Sequence, residues 1–323
     1  MIYLDEYAIS LDRKEHDSDI DFISHAHSDH ISAAKSSDEV IASAETAQLL
    51  SRAKRINIRA CQKKINGIRL LDSGHMLGSK QIRIEHADGQ TVTYTGDFAL
   101  QKHFTCKPIE ILETETLIID STYSSPEIRF DPKKEVEAAM ELWSNRKVNQ
   151  GIVLFGVHAM GKAQEVTKIL NNAGLVPFVT DGIASVNRVY QANGVDLDYL
   201  AGLNADGEPR EGGGNFVGIV ETHKLDDMAG ALVRNTGRRV FRAAATGFAK
   251  MFRFNTDVQF PLSDHADFRQ SVYYIEASNP KKILTYGSNS ETFAMNLNRA
   301  GYNAEPFRTE VARDYSIIEG VAH

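Results

Sequence analysis

The most constraining feature of this sequence is a short cluster of metal-ligand side chains at positions 24–30. The segment reads SHAHSDH and follows a mostly apolar segment, Ile20 to Ile23. Three of the chain's eleven histidines fall within six positions here, which a solvated polar turn does not ordinarily require. The pattern indicates a metal-dependent hydrolase before any other part of the chain is considered.

The spacing within this cluster suits one or two cations. At an irregular strand end, His25 and His27 can point to one side and bind one zinc ion, which in catalytic sites has about three protein ligands and one open position. Asp29 and His30 follow and can reach a second cation. Pairs of cations about 3.5–4 Å apart clamp phosphodiesters and other hydrolysable bonds. We therefore predict one or two zinc ions, with manganese as an alternative.

Further ligand candidates follow along the chain. His75 lies between Gly74 and Gly78, where the chain can turn tightly and point the histidine inward. The alternating segment at 91–97 predicts a strand that ends in a carboxylate, Asp97, our candidate for the bridging ligand. Asp12 ends an early strand and could orient a ligating histidine by a hydrogen bond. A simple turn aspartate is an equally good interpretation of Asp12.

Composition limits the class of protein without identifying it. The chain has 323 residues, 42% apolar and 24% charged, which predicts a globular protein of one large or two intermediate units. We expect a cytoplasmic protein without a membrane segment, because no apolar run is long enough and the first residues lack a signal pattern. Cys61 and Cys106 are far apart, as in a reducing compartment. The net charge of −7 is unusual for an enzyme that binds polyanions.

Two segments beyond Asp97 add a candidate proton donor. An apolar strand at 117–120 ends in Asp120, and far downstream the segment at 260–268 presents His265 between Asp264 and Asp267. Together with the earlier motifs, His265 is our candidate for the catalytic acid, held in its charged form by Asp120 or Asp267. Short apolar runs alternate with helical stretches along the chain, which predicts an α/β fold. In one of these helices Trp143 is interpreted as a core residue.

The order of Asp12, the 24–30 cluster, His75 and Asp97 resembles the metallo-β-lactamase fold. The resemblance implies two ligand sets: His25, His27, His75 and Asp97 for the first metal, and Asp29, His30 and Asp97 for the second. The pair of Asp120 and His265 resembles the β-CASP branch of that fold. This branch cleaves nucleic acids and includes ribonuclease J, the cleavage and polyadenylation endonuclease, and the SNM1/Pso2/Artemis nucleases.

In the β-CASP branch a cap domain is inserted between motif A, here Asp120, and motif B, here His265. The resemblance therefore implies an αββα sandwich formed by residues 1–124 and 261–323, with an inserted α/β β-CASP domain at 125–260. It is closest to the compact prokaryotic and archaeal exonucleases related to messenger-RNA 3′-end processing factors. Asp29, Asp120 and His265 would be the catalytic residues.

Within the proposed insertion, the segment at 160–165 is similar to the family's G-R-A-Q-E sequence, with Lys162 in place of arginine. Lys162 is our first candidate for a contact to the phosphate backbone. Weaker candidates are Arg188, Arg234, Arg242, Lys250 and Arg253. Phe248, Phe252 and Phe254 could stack on bases, but core packing is the stronger interpretation for at least two of them. The run at 212–214 is interpreted as a mobile glycine loop.

One departure from the family pattern concerns motif C, a histidine followed by glycine. The corresponding segment at 283–289 has Tyr286 before Gly287 and contains no histidine. The DNA-cleaving members usually have valine there, so the departure favours DNA and predicts a weak second metal. A packed strand-end tyrosine is a better interpretation of Tyr286 than an oxygen ligand.

These observations predict a zinc-dependent phosphodiesterase that acts as a 5′ exonuclease on single-stranded nucleic acid, with DNA favoured over RNA. An RNA-processing exoribonuclease or endoribonuclease is the alternative. The expected biological role is therefore DNA repair or RNA processing. A small-molecule hydrolase of thioesterase type would explain only the first four motifs. An inactive binding subunit is disfavoured because the other motif positions are intact. A homodimer is compatible with the sequence.

Overall fold

A computed structural model describes residues 2–4, 7–15, 17–35, 40–59, 65–204 and 214–307. Cys61 and most of the predicted glycine loop at 212–214 lie outside the described residues. The chain divides into two compact units. Unit 1 comprises residues 1–102, 106–129 and 265–323, and unit 2 comprises residues 103–105 and 130–264. Within the described ranges, no helix is both long and apolar enough to cross a bilayer.

The elements are numbered in chain order over the described residues. The strands are β1 (Ile2–Leu4), β2 (Tyr7–Leu11), β3 (Ile20–Phe22), β4 (Val40–Ile41), β5 (Ile68–Asp72), β6 (Lys80–Glu85), β7 (Thr91–Tyr94), β8 (Thr116–Asp120), β9 (Ile152–Val157), β10 (Phe178–Val179), β11 (Leu200–Ala201), β12 (Val217–Glu221), β13 (Val240–Ala245), β14 (Val258–Phe260), β15 (Lys282–Tyr286) and β16 (Ala304–Pro306). The α-helices are α1 (Ala44–Lys54), α2 (Lys133–Val148), α3 (Lys162–Asn172), α4 (Asp181–Ala192), α5 (Leu225–Thr236), α6 (Phe268–Ser278) and α7 (Ser290–Arg299).

Unit 1 contains two mixed sheets, one with strand order β1-β2-β3-β4 and one with order β16-β15-β8-β7-β6-β5. Alternation along β8 shows how they pack. Ile118 lies in a core shared with Ile9 and Phe22 of the first sheet. Leu117 and Ile119 face the other way and pack against α6 and α7. Because successive strand residues point to opposite faces, β8 is buried on both sides, between the first sheet and two helices.

Unit 2 is built on a parallel sheet of order β11-β10-β12-β9-β13-β14. Its central strand β9 is buried at every position, as expected when helices cover both faces of a parallel sheet. Phe155 lies on the side of α2 and α3, and Leu154 on the side of α5. Trp143 packs at 5.9 Å from Phe155 and from Phe260, measured between ring centroids. The fold is α/β in both units.

The prediction that at least two of the three phenylalanines at 248–254 belong to the core is wrong. Phe248 and Phe252 are 44% and 56% exposed, and Phe254 is half-buried. Phe248 lies on a single 3-10 turn after β13, Gly247–Lys250, and the other two phenylalanines follow it. A turn this short has no apolar face to direct into the core. The amide of Gln259 holds this turn from beneath by donating to the carbonyls of Ala249 and Phe252.

Candidate metal centre

Four predicted ligands lie together in unit 1. One ligand atom from each of His25, His27, His75 and Asp97 lies within 4.8 Å of all the others. His25 and His27 follow β3, His75 lies in the turn between β5 and β6, and Asp97 follows β7. All are buried except His27, which is half-buried. The structure thus brings together residues from three separate loops at one edge of the two sheets.

Two glycines allow these loops to approach each other. Gly74 has φ +76, and a Cβ there would lie 2.3 Å from the carbonyl oxygen of Ala99. Gly96 has φ +54, and a Cβ there would lie 2.6 Å from that of Ser24. Only glycine adopts this backbone at no steric cost. The residue after each glycine is a predicted ligand, so both glycines fix where a donor atom lies.

The donor atoms are spaced for a small cation. His75 Nε2 lies 3.2 Å from His27 Nδ1, and Asp97 Oδ2 lies 3.5 Å from His25 Nε2 and 3.8 Å from His75 Nε2. Ligand bonds of about 2 Å in a tetrahedral zinc site place two donors roughly 3.3 Å apart. His25 Nε2 is buried without a hydrogen-bond partner among the described residues. A buried, unpartnered ring nitrogen beside a carboxylate fits a metal ligand.

Electrostatics agree with this interpretation. Burial, followed by the charges of His30, His27 and His75, lowers the pKa of His25, so this imidazole is neutral and its lone pair can bind metal. Burial raises the pKa of Asp97 to about 7, although His30 and His265 oppose the shift. An ionised Asp97 therefore lacks the stabilisation that a cation at this position would supply.

The second predicted ligand set is less compact. The Asp29 side chain is 81% exposed and lies 3.7 Å from His30 Nε2. His30 instead approaches Asp97 at 3.4 Å and pairs with Asp12 at 2.7 Å. Among the described residues, neither Asp29 nor His30 belongs to a group of three or more close donors. The ligand and catalytic roles of Asp29 stay predictions.

Asp12 connects the histidine loop to the sheet behind it. Its carboxylate accepts hydrogen bonds from the backbone and hydroxyl of Ser24 at 2.6 and 2.7 Å. It also accepts one from Tyr94 Oη at 2.7 Å. Burial would lower the pKa of His30, but Asp97 and Asp12 outweigh it and raise that pKa to about 10. Asp12 thus orients His30, which favours the orienting interpretation over a plain turn residue.

His265 and Asp120 form a hydrogen-bonded pair next to the four ligands. His265 Nδ1 lies 3.0 Å from Asp120 Oδ2, and its Nε2 lies 3.8 Å from Asp97 Oδ2. Burial would raise the pKa of Asp120, but the hydrogen bond with His265 and the donors of Thr122 lower it overall. Asp267, the other sequence candidate, instead caps α6 by accepting from the backbone of Gln270.

Sequence reasoning missed Tyr94, although it occupies an inward position of the predicted alternating strand. Its ring lies 5.1 Å from that of Tyr286, and burial raises the pKa of both hydroxyls. Tyr286 pairs in register with Asp120 across β15 and β8, and its hydroxyl oxygen is buried. Tyr286 is therefore a packed residue of the strand end, as its position predicted.

Lys162 is not placed as a phosphate contact. Its side chain is buried, and Nζ donates to the carbonyl of Leu262 at 2.8 Å and pairs with Asp264 at 2.9 Å. A buried ammonium needs such partners, so Lys162 holds the end of β14 and is not available to a strand of nucleic acid. Among the weaker candidates, Arg242 and Lys250 pair with acidic neighbours. Arg188, Arg234 and Arg253 are exposed.

The chain is similar to known proteins whose names differ. No family model matches the chain. A "Probable DNA ligase" of Opitutus terrae is 29% identical over 306 residues, 88% of this chain and 28% of that protein. The DNA cross-link repair protein SNM1 of Arabidopsis thaliana is 23% identical over 293 residues, 81% of this chain and 60% of that protein. An RNase J-like protein of Methanocaldococcus jannaschii is 37% identical over 142 residues, 41% of this chain and 32% of that protein.

The chain spans less than two thirds of the length of each of these relatives. Two of them carry the names of nucleases that share the motif order described above, namely RNase J and SNM1. The residues of that order converge here on one cluster, with Asp120 and His265 beside it. The chain belongs to the β-CASP branch of the metallo-β-lactamase family.

Proposed function

We propose that this protein is a metal-dependent nuclease that hydrolyses phosphodiester bonds of single-stranded DNA from the 5′ end. The observation that carries the proposal is the hydrogen-bonded pair of Asp120 and His265 beside the four-donor cluster. A small-molecule hydrolase needs the donors but has no need of a second, buried acid-base pair. In this assignment unit 1 is the αββα core and unit 2 is the inserted β-CASP cap.

The four donors His25, His27, His75 and Asp97 would hold the ion, which we assign as zinc with manganese as the alternative. When bound, the metal supplies activation of water and neutralisation of charge on the phosphate oxygens. The close approach of the donor loops at Gly74 and Gly96, where a side chain would clash, supports this assignment. Asp12 fixes His30 from behind, so that its Nε2 stays directed at Asp97.

His265 is assigned as the proton donor to the leaving oxygen. The ionised Asp120 accepts the Nδ1 proton of His265 and fixes the orientation of the ring. This leaves Nε2, on the side of Asp97, as the atom that delivers the proton. Thr122 donates twice to the other oxygen of Asp120, at 2.8 and 2.7 Å, so that the carboxylate keeps one orientation. A positioned general acid contributes about 10²–10⁴-fold to the rate.

We favour DNA over RNA as the substrate because the relatives named for DNA match a larger share of this chain. The relatives with DNA in their names match 88% and 81% of this chain, whereas the RNase J-like relative matches 41%. The tyrosine at the motif C position points the same way. Because one relative carries the name of a DNA ligase, we place the activity at DNA ends, and we assign it to the cytoplasm.

An RNase remains the second candidate, because the RNase J-like relative has an identity of 37% in its matched part. The test is digestion of end-labelled single-stranded DNA and RNA of one sequence, in parallel, with zinc or manganese. Mononucleotides released from the 5′ end of DNA alone are expected. Release from RNA alone would transfer the proposal to RNA, and thioester hydrolysis without cleavage of either polymer would overturn it.

A further inference from the structure

A long stretch of unit 1 contains basic residues and no acidic ones. From Thr46 to Leu71 there is no aspartate or glutamate. The same stretch contains seven cations: Arg52, Lys54, Arg55, Arg59, Lys63, Lys64 and Arg69. In a chain with a net charge of −7, such a local excess produces a positive field that a global charge count conceals. Positions 63 and 64 lie outside the described residues.

Helix α1 attaches the start of this stretch to the candidate metal centre. At the beginning of the helix, the hydroxyls of Ser43 and Thr46 donate to the carbonyl of Gly78, in the loop that carries His75. At its end, Lys54 Nζ lies 2.6 Å from the hydroxyl oxygen of Ser28. Ser28 lies between His27 and Asp29 in the sequence. Both ends of α1 are thus fixed to loops that carry predicted ligands.

Arg55 has a backbone conformation that ordinarily selects glycine. It ends α1 with φ 58 and ψ 32, and its backbone N–H donates to the carbonyl of Leu50. Among the described residues, the other non-glycine residues with positive φ are Asp12 and Asn279. Asparagine tolerates this conformation well, and Asp12 belongs to the metal centre. Arginine at such a position is strained, which points to a use for its side chain.

Arg55 and Arg59 are both exposed. Neither guanidinium forms a hydrogen bond or an ion pair with any residue that the structure describes. A favourable interaction with the helix dipole accounts for basic residues in the last turn of α1, namely Arg52 and Lys54. It does not account for Arg59, which lies beyond the helix, since this effect is confined to the last turn.

We propose that Arg55 and Arg59, with Lys54 at their base, form a phosphate-binding rim beside the metal centre that holds phosphoryl groups of the substrate strand. This inference rests on the proposed nuclease function and names the contact surface for its substrate. Guanidinium groups suit the purpose because they stay charged and can bind phosphate through two parallel N–H donors. The phosphoryl group is either the 5′-terminal phosphate or an internal phosphate of the strand.

The test uses the variants Arg55→Gly and Arg59→Gln, separately and combined, in the full chain loaded with zinc. Binding is measured by fluorescence anisotropy with a labelled single strand whose linkages are phosphorothioates that resist cleavage. The combined variant is expected to bind about tenfold more weakly at low salt. The slope of log K against log salt should fall by about 1.4, since each lost contact to a single strand removes about 0.7.

For Arg55→Gly, the melting temperature distinguishes a loss of binding from a loss of folding. Glycine fits φ 58 better than arginine does, so the melting temperature should stay the same or rise while binding weakens. The matched control is Arg299→Gln, an exposed arginine at the end of α7 in the same unit, which should leave affinity and salt slope unchanged. Equal affinity and slope in wild type and the combined variant would overturn the proposal.

Two strands that differ only at the 5′ end identify which phosphoryl group is bound. If the arginines hold the terminal phosphate, the combined variant loses the preference of wild type for a 5′-phosphorylated strand over a 5′-hydroxyl strand. If they hold internal phosphates, both strands weaken equally. A wild type that cleaves nucleic acid without any loss in the variants refutes the rim alone. A wild type that cleaves neither DNA nor RNA refutes the proposed function, whatever the binding shows.

Discussion

Asp97 and Glu165 are both buried carboxylates, one in each unit, and their surroundings are opposite. Glu165 accepts hydrogen bonds from Thr105 Oγ1 at 2.6 Å and from the backbone of Phe104 at 2.9 Å. It also pairs with Lys133 at 2.5 Å and with His103 at 3.5 Å. Burial would raise the pKa of Glu165, but His103 and Lys133 lower it well below its ordinary range. Asp97, in contrast, has a pKa raised to about 7.

The difference distinguishes a buried carboxylate whose charge the protein itself neutralises from one whose charge it does not. Every strong interaction of Glu165 comes from its own unit, and these bonds attach the segment at 103–105 to α3. The nearest nitrogens to Asp97 lie 3.4–3.8 Å from its oxygens, which leaves room for a cation between them. A buried charge that the protein itself does not balance indicates a ligand that does.

The largest expected effect follows from replacing the unbalanced carboxylate. Asp97→Ala should lose its metal and reduce cleavage to background, because it removes the oxygen ligand of the four-donor cluster. Metal content by mass spectrometry and cleavage of labelled DNA check this result. An Asp97→Ala protein that retains metal and turns over at the wild-type rate would remove Asp97 from the site.

His265→Ala should separate catalysis from metal binding. We expect turnover to fall by about 10²–10⁴-fold while the metal content stays at the wild-type level, since His265 is absent from the four-donor cluster. His265→Gln serves as a companion that keeps the size of the side chain. Metal loss equal to that of Asp97→Ala would make His265 a ligand instead of a proton donor.

Glu165→Gln should test the balanced carboxylate. Breaking a buried ion pair costs up to about 3–5 kcal/mol, and the loss here should lie below that limit because Lys133 keeps Glu137 as an acidic partner at 2.8 Å. We expect a large loss of stability in urea unfolding at pH 7 and an unchanged metal content per folded molecule. A variant as stable as wild type would show that the network around Glu165 contributes nothing to folding.

The difference in stability between wild type and Glu165→Gln should depend on pH. The folded-state pKa of Glu165 lies below its ordinary value of 4.5, so its network stabilises the fold fully above that value and less as the pH falls toward the folded-state pKa. The stability difference between wild type and Glu165→Gln should therefore be constant from pH 6 to 7 and shrink below pH 4.5. A difference that grows on acidification would contradict the assignment.

The smallest expected effect is a gain of stability. In the metal-free protein at pH 8, Asp97→Asn should raise the free energy of unfolding by about 1 kcal/mol, because it removes a buried, incompletely paired charge. The gain should be smaller at pH 5, where Asp97, with its pKa of about 7, is protonated in the folded state but still ionised in the unfolded chain. Thermal unfolding with a chelator at the two pH values checks both parts.

The sequence predicted correctly that several short motifs lie close together in the fold. The 24–30 cluster, His75 and Asp97 are close in the structure because glycine-bearing loops at strand ends can be recognised from sequence alone. Their roles as ligands stay predictions. Exposure was harder to predict. Phe248 and Phe252 are of a residue type that is common in cores, and only the structure shows that they are exposed.

Interactions between residues that are distant in the sequence could not be predicted either. The sequence left open whether Asp120 or Asp267 holds His265, because both lie near apolar strands or helix starts. The sequence also could not show that the ammonium of Lys162 binds the carbonyl of Leu262 and the carboxylate of Asp264. Such partners depend on tertiary contacts, which a local pattern does not contain. The resemblance located the motif around Lys162, but only the structure shows the ammonium buried.

The hydrogen bond between Asp120 and His265 joins residues that are 145 positions apart, and His265 is the first residue of unit 1 after unit 2 ends. During synthesis, the four metal donors leave the ribosome well before His265 does. Closing an unfolded loop of that length costs on the order of 4 kcal/mol, which falls when the intervening segment folds and brings its own ends together. A nascent chain that has emerged as far as Asp97 therefore carries the four proposed metal donors and still lacks the proposed proton donor. In the proposed assignment, a chain whose synthesis stops within unit 2 has no His265 and is not an active nuclease.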